Sequence, residues 1–507
     1  MSQVTYRANL SAKSFPFISE NFGQSIIVPQ YDQNYSRQVV SQEDVDQDVG
    51  IPQVYYCHNV MPHAQGLQSV GYTSILPTVS GVSNFNTLFL LRDISDNKVF
   101  LGVTDTGDFY ISDGTGAPWV FKQSTASGKL VTAAYVSGVT YIYVENTGCY
   151  KYNFSTGAFV AVTLTNLTAA DIIGITYSAG YLIAWSKNQV FWSSTIDPTD
   201  FTPSLTTGAG GGAVETARGA INYCIPHNLG FIVGTADNCV AALYQQNSRY
   251  PFQFREIVNS GGMTSLELVA TDANSSNLYA YTTSGLQSVS TTQTQTVYPE
   301  ITDFISGRYF EDFDDTTKSF NTIVLSAPMA KKLSVVSDRY LVISYGISEL
   351  THAIVYDVVL KRFGKLKITH VECFTYHLAA TGIKETPRQS LAFLKKDGSV
   401  VVVDFSIASP TLNGTVILGK YQFVRPRLLQ LDTITVESSR ATQAFNLTLM
   451  TSLDGKNTVN SDPYLNYSSG LIREYACRAI GKNISLLFQG GFILDSLVLQ
   501  FNIDAKR

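Results

Sequence analysis

A short apolar strand, then Gly or Asn, then a second strand ending in an aromatic residue: this pulse recurs along most of the chain. It is found in VFLGVTDTGDFYI (99–111), VTYIYVENTGCYKY (139–152), GYLIAWSKNQVFW (180–192), GFIVGTADNCVAALY (230–244) and NLYAYTTSGLQSVS (277–290). It returns in RYLVISYGISELTHAIVYD (339–357) and RQSLAFLKKDGSVVVVDF (388–405). One such hairpin cannot hide its apolar face alone, so repeated hairpins must stack on one another. The feature points to a structural, ring-like protein before any catalytic residue is considered.

Repeat starts fall near 81, 130, 171, 219, 264, 320 and 371, a mean spacing of roughly 48 residues, within the ~40–50 of propeller blades. Four-stranded blades around an axis leave only short, protected edges. The expected fold is all-β: a β-propeller over 59–419 with about seven blades, six being the alternative, and a C-terminal β-sandwich over 420–507. Residues 1–58 read as an extended arm that docks on the sandwich or on a neighbouring subunit. The stretch 300–321 breaks the pulse and is expected to be a short helix or a projecting insertion. Beyond 420, longer alternating strands carry turn signals at Asp454-Gly455 and at Gly481–Asn483, which are expected to mark hairpins.

Composition agrees. Of 507 residues 45% are apolar and 15% charged, so ample core is available and little suggests disorder. The 29 Tyr and 28 Phe favour pleated strands. No long window carries helical periodicity, and very little helix is expected. The net charge of −5 argues against gripping a phosphate backbone, while mild acidity suits a surface past which DNA slides. Six widely spaced cysteines without a CxxC pair read as buried free thiols made in a reducing compartment. The N-terminus lacks the apolar core of a secretory signal, and no stretch reaches the roughly 18 apolar residues of a membrane span. A soluble protein made in a cytoplasm is the expectation.

Motifs for chemistry fall short one by one. Asp44, Asp46 and Asp48 resemble the start of a calcium loop, but the required Gly is Val49 and the closing acid is Tyr55. A solvated acidic arm is the expectation. Cys57, His58 and His63 are close in sequence, yet no fourth zinc ligand is near. The run GAGGGAVETARG (208–219) lacks the GK[ST] ending of a phosphate loop and reads as a flexible inter-blade loop. No serine has Gly at both −2 and +2, and no HExxH occurs. SLDGKN (452–457) weakly resembles a sialidase Asp-box but occurs once and outside the blades. Lys361, Arg362, Lys365 and Lys367 form a basic cluster that reads as a solvated hairpin tip, with contact to nucleic acid or an acidic partner as the alternative. No catalytic residue, cofactor or metal ligand is expected.

Three motifs carry a resemblance. In NVMPHAQGLQSVGY (59–72), the order Asn59, Pro62, Gly66-Leu67, Gly71-Tyr72 resembles the opening motif of tail hub or nozzle proteins of short-tailed bacteriophages, among them the packaged-DNA stabilisation proteins of P22-like phages. The family often has Pro where this chain has Val70. WSSTIDPTDFTPS (192–204), through Trp192, Asp197-Pro198 and Asp200-Phe201, resembles the middle of that family's propeller. RPRLLQLDTITVESS (425–439) and the hairpin at Asp454-Gly455 resemble its C-terminal sandwich. The resemblance implies a homo-hexameric virion protein, made in the host bacterial cytoplasm and placed in the tail below the portal and its adaptor ring. It implies tail fibre and plug or needle proteins as partners, and a channel through which DNA passes without sequence-specific binding. A glycan-binding or glycan-cleaving propeller is the rival reading.

Overall fold

The seven pulses of the sequence form the middle hairpins of seven blades. The computed structural model describes residues 2–9, 26–28, 38–40, 54–62, 66–377 (apart from 83, 115, 247–249, 273–275, 298–300, 303–308, 315 and 318), 389–405, 413–423, 429–437, 445–452, 460–467, 472–481 and 483–503. Nearly every named element is a strand. Blades 1 to 5 are four-stranded antiparallel sheets over 85–124, 131–162, 174–213, 221–256 and 269–296, each with its first strand innermost. Their first strands begin within a few residues of the expected starts. Blade 6 begins at Ala330 rather than near 320, because the hairpin Tyr309–Asp314/Ser319–Val324 fills the preceding stretch. Of the stretch 300–321, expected to be a short helix or projection, residues 301–302 are helical, and from Tyr309 it holds part of a β-hairpin.

Blade 7 is completed from the other end of the propeller sequence. Its strands Glu372–His377, Gln389–Leu394 and Val400–Asp404 are joined by Gly71–Leu76, in the register Gly71↔Asp404 to Leu76↔Val400. The ring is thus closed by a strand that precedes blade 1. Blade 6 is widened outward by Val60–Pro62, Leu67–Ser69 and Ile493–Leu494. In an up-and-down blade, the first-to-second and third-to-fourth turns emerge on one face of the ring. The second-to-third turns and the blade-to-blade connections emerge on the other.

Packing explains the sequence pattern. The second strands Tyr181–Trp185 and Gly230–Thr235 are buried at every position, because neighbouring blades cover both faces. Such strands read as short continuous apolar runs rather than as alternation. Neighbouring blades also hold each other through threonines of innermost strands: Thr132 Oγ1 accepts from Ile175 N of the next blade's innermost strand at 2.9 Å, and Thr375 Oγ1 accepts from Ser337 N, just past the end of Ala330–Val336, at 2.8 Å. These bonds satisfy backbone N–H groups at the edge facing the axis, which would otherwise be costly to bury.

The sandwich is built from both ends of the chain. One sheet orders Gln38–Val40, Ser2–Asn9, Ser496–Ile503, Leu429–Glu437 and Ile472–Gly481. The other orders Ile26–Val28, Gly414–Phe423, Asn483–Gly490, Phe445–Ser452 and Asn460–Tyr467, with Val54–His58 also on Gly414–Phe423. Leu431, Ile434, Val436, Leu497 and Leu499 from the first sheet meet Val416, Leu418, Leu447, Leu449, Leu486 and Phe488 from the second in one core. That core continues into blades 5 and 6 through Leu286, Tyr345 and Ile354.

The GKN signal is not a hairpin. Ile472–Gly481 and Asn483–Gly490 lie in different sheets, so the chain crosses between sheets there. Asp454-Gly455 falls outside the described residues, although the strands on either side pair with each other. The glycine run at 208–219 is not simply a loop either: Gly210–Ala213 is the fourth strand of blade 3.

All six cysteines are free and buried. Burial pushes the thiols of Cys57, Cys149, Cys239 and Cys477 up to about 12, and those of Cys224 and Cys373 well above their ordinary value. Thiolate is the reactive form. The native protein is therefore expected to give almost no colour with a disulfide thiol reagent at pH 8, and all six thiols on adding denaturant. Fast reaction of a native thiol would contradict this placement.

Candidate functional site at the junction of propeller and sandwich

The first motif folds into a clasp where the two domains meet. Asn59 sits between Val54–His58 of the sandwich and Val60–Pro62 of blade 6, with φ of 51°. Asn tolerates this left-handed conformation better than most residues. Its side chain ties three segments. Nδ2 donates to Asn413 O at 3.1 Å, while Oδ1 accepts from the Tyr72 hydroxyl at 2.7 Å and from Lys367 N at 3.0 Å. Its carbonyl accepts from Val70 N at 2.8 Å.

The other motif positions serve the same joint. Pro62 pairs with Leu67 where Val60–Pro62 and Leu67–Ser69 run antiparallel. Gly66 lies so close to the returning chain that a Cβ would come within 1.9 Å of Leu494 O, a backbone atom that no rotamer can move. Gly71 starts the strand that closes the ring. Ser69 Oγ donates to Phe492 O and accepts from Phe492 N, and Gln68 Nε2 donates to Phe405 O at 2.7 Å.

Asn59→Ala removes three hydrogen bonds of about 1 kcal/mol each and adds left-handed strain of about 1 kcal/mol. A loss of about 2–4 kcal/mol in urea unfolding is expected. Asn59→Gly should recover only the strain. Equal losses for both variants would contradict the left-handed contribution.

Beside the clasp lies a charged knot that local sequence did not reveal. Asp312, on the insertion hairpin, takes the Tyr56 hydroxyl on Oδ1 at 2.9 Å and the Lys367 ammonium on Oδ2 at 2.7 Å. His352 Nε2 stands 3.5 Å from Oδ1, at the outer limit of a hydrogen bond, and its ring stacks on Tyr345. Lys365 Nζ lies 4.6 Å from the centre of the Tyr56 ring. The basic cluster is therefore not one solvated tip. Lys365 is buried, Lys367 is paired, and only Lys361 and Arg362 lie at the turn.

The groups perturb one another. Burial alone would raise the Asp312 carboxyl, but His352 and Lys367 outweigh it and hold it well below the usual carboxylate range. Burial pushes the His352 imidazole down to about 4, against the pull of Asp312. Burial, then the Asp312 charge, drives the Tyr56 phenol far above its ordinary value. The knot is a fixed ionic brace. Tyr56 stays a neutral donor and His352 stays neutral near pH 7.

The second motif is structural in blade 3. Trp192 Nε1 donates to Gly208 O at 2.9 Å, and Asp197 Oδ1 caps its turn through Thr199 N at 2.9 Å. Pro198 follows in that turn, Asp200 Oδ1 accepts from Thr202 N at 2.9 Å, and Phe201 is buried in the core between blades 2 and 3. The structure does not bring these residues together with Asn59.

A cavity of about 670 Å³ at the mouth of the propeller axis is lined by Lys332, Glu267 and Glu372. Lys332 Nζ lies 2.7 Å from Glu372 and 3.9 Å from Glu267. Burial works against its charge, but the two carboxylates outweigh it and raise its pKa. Cys57 is in the core, His58 Nδ1 lies 3.2 Å from the Tyr56 hydroxyl, and His63 falls outside the described residues, as do Asp44, Asp46 and Asp48. Among the described residues no three His, Cys, Asp or Glu converge as a metal would need. No described helix is long and apolar enough to cross a membrane.

No protein family matches the chain, and no curated protein matches it. Among solved structures it is similar to the WD40 β-propeller domain of Doa1, with a TM-score of 0.39 and 9% identity, covering 66% of this chain and 97% of that one. It is also similar to YCF48 from Cyanidioschyzon merolae, with a TM-score of 0.40, 9% identity and coverage of 66% and 99%. These likenesses are too distant to carry an argument. The propeller and sandwich stand on the strand pairing itself.

Proposed function

We propose that the protein is a non-enzymatic structural component of a short-tailed phage virion, the tail hub or nozzle. Six copies form a ring below the portal and its adaptor ring, close the head after packaging, retain the DNA and later let it out. Tail fibre and plug or needle proteins attach to this ring. The observation that carries the reading is the order of the motifs at 59–72, 192–204 and 425–457 along a propeller-plus-sandwich chain. The placement of the first motif supports it, because a clasp and an ionic brace at the joint suit a block that bears load. Six chains carry about −30 formal charges in all, which disfavours adhesion of phosphates along a bore. Trp119, Trp185 and Trp192 are all buried, which counts against stacking platforms for sugars.

Native mass measurement of the full chain, with and without a portal–adaptor complex, tests the proposal. Six copies seated on the complex are expected. A single copy that ignores the complex, or measurable cleavage of host polysaccharide, overturns it.

A further inference from the structure

Two turns on one face of the propeller carry strongly exposed apolar side chains and opposite charge. The third-to-fourth turn of blade 3 (193–209) presents Ile196, 79% exposed, and Leu205, 74% exposed. Its charges are Asp197 and Asp200, with no cation. The third-to-fourth turn of blade 6 (358–361) presents Val359, 68% exposed, next to Lys361 and Arg362. The acid that opens this turn, Asp357, is buried and held by Arg339 at 2.6 Å. Asp338 on the adjoining turn leaves the blade 6 side net positive.

Both turns are of the same kind, so they emerge on the same face. Counted around seven blades, blade 6 lies across the axis from blades 2 and 3. The blade 3 turn is therefore apolar and acidic, and the blade 6 turn across the axis from it is apolar and basic. Two identical sides pressed together would set like charges against each other, whereas opposite sides complement one another.

We propose that copies of this chain associate head to tail, the blade 3 turn of one copy against the blade 6 turn of the next. Such a contact leaves one free half at each end and propagates until the rotation closes a ring. Ile196, Leu205 and Val359 form its apolar centre, and Asp197 and Asp200 face Lys361. The inference deepens the ring reading above and rests on it only for the number of copies.

Two variants test the contact in the full chain. Leu205→Asp disables the blade 3 side at an exposed position. Lys361→Asp reverses the charge of the blade 6 side, at φ of 55°, where Asp is tolerated. Sedimentation in low salt should show assemblies for the unaltered chain and single copies for each variant alone. An equimolar mixture of the two should form a two-copy complex, because each variant keeps one working side. An unaltered chain that stays single, a variant that assembles like the unaltered chain, or a mixture that stays single overturns the proposal. Assemblies that ignore a portal–adaptor complex sink the tail reading and leave this contact standing. A six-copy ring on the portal that tolerates both substitutions does the reverse.

Discussion

A chain that begins at residue 77 is expected not to yield a soluble folded protein. Such a chain keeps every pulse of the repeat but lacks the strand that closes the ring. Blade 7 would end at Val400–Asp404, whose open edge would expose four consecutive buried valines, Val400 to Val403. An unpaired apolar edge is a template for aggregation. Val60, Met61, Leu67, Val70 and Leu76 would also be lost, each at most 1% exposed. At ~1.5–3 kcal/mol for each buried side chain, their loss approaches the whole ~5–15 kcal/mol of a typical domain. The sandwich would lose Ser2–Asn9 and Val54–His58 as well. Expression of residues 77–507 beside the full chain checks this. A soluble, single-sized product with a cooperative melt would show that the closing strand is dispensable.

Mild acid is expected to weaken the fold well before carboxylates titrate. Burial pushes both His352 and His370 down to about 4, against an ordinary value near 6.5. As pH falls, the unfolded chain takes up these protons first. The contribution is fully present above about pH 6.5, is lost progressively towards pH 4, and changes little below that. At pH 5 the loss is about 2 kcal/mol per histidine. Asp312 acts in the next window: its folded value is depressed, so its contribution is present above about pH 4 and is lost as pH falls further. Melting at pH 7 and pH 5 should differ by several degrees, and His370→Gln should reduce the difference. A melting temperature unchanged between these two values would remove the buried histidines from the account.

The parts of this fold that could be read in the sequence are those held by local contacts. A blade's middle hairpin brings together residues few positions apart, such as Tyr143 and Cys149, so its pattern is written in one short segment. The closing strand is different. Gly71 pairs with Asp404, and Ser2 with Ile503, and nothing in either segment names its partner. The knot escaped for the same reason, since Tyr56 and Asp312 are 256 positions apart and each alone reads as an ordinary strand or loop residue. Four cations within seven residues suggest one patch, but neighbours in a strand need not share surroundings. In the strand Arg362–His370, Lys365 and Lys367 turn instead to Tyr56 and Asp312. Asn59 and Gly66 were singled out by resemblance alone. Their physical reason, a joint between two domains, appears only when both domains are in place.

The pairing of Ser2–Asn9 with Ser496–Ile503 has a consequence for how the protein is made. Ser2–Asn9 can meet Gln38–Val40 early, but must wait for its longer partner, Ser496–Ile503, to be translated. At ~5–20 residues per second that wait lasts roughly half a minute to two minutes. Blades 1 to 5 draw all their strands from contiguous sequence and can form as they emerge, while Ser2–Asn9 must remain soluble without the rest of its sheet. Synthesis thus imposes an order, with the blades first and the sandwich only once Ser496–Ile503 has emerged.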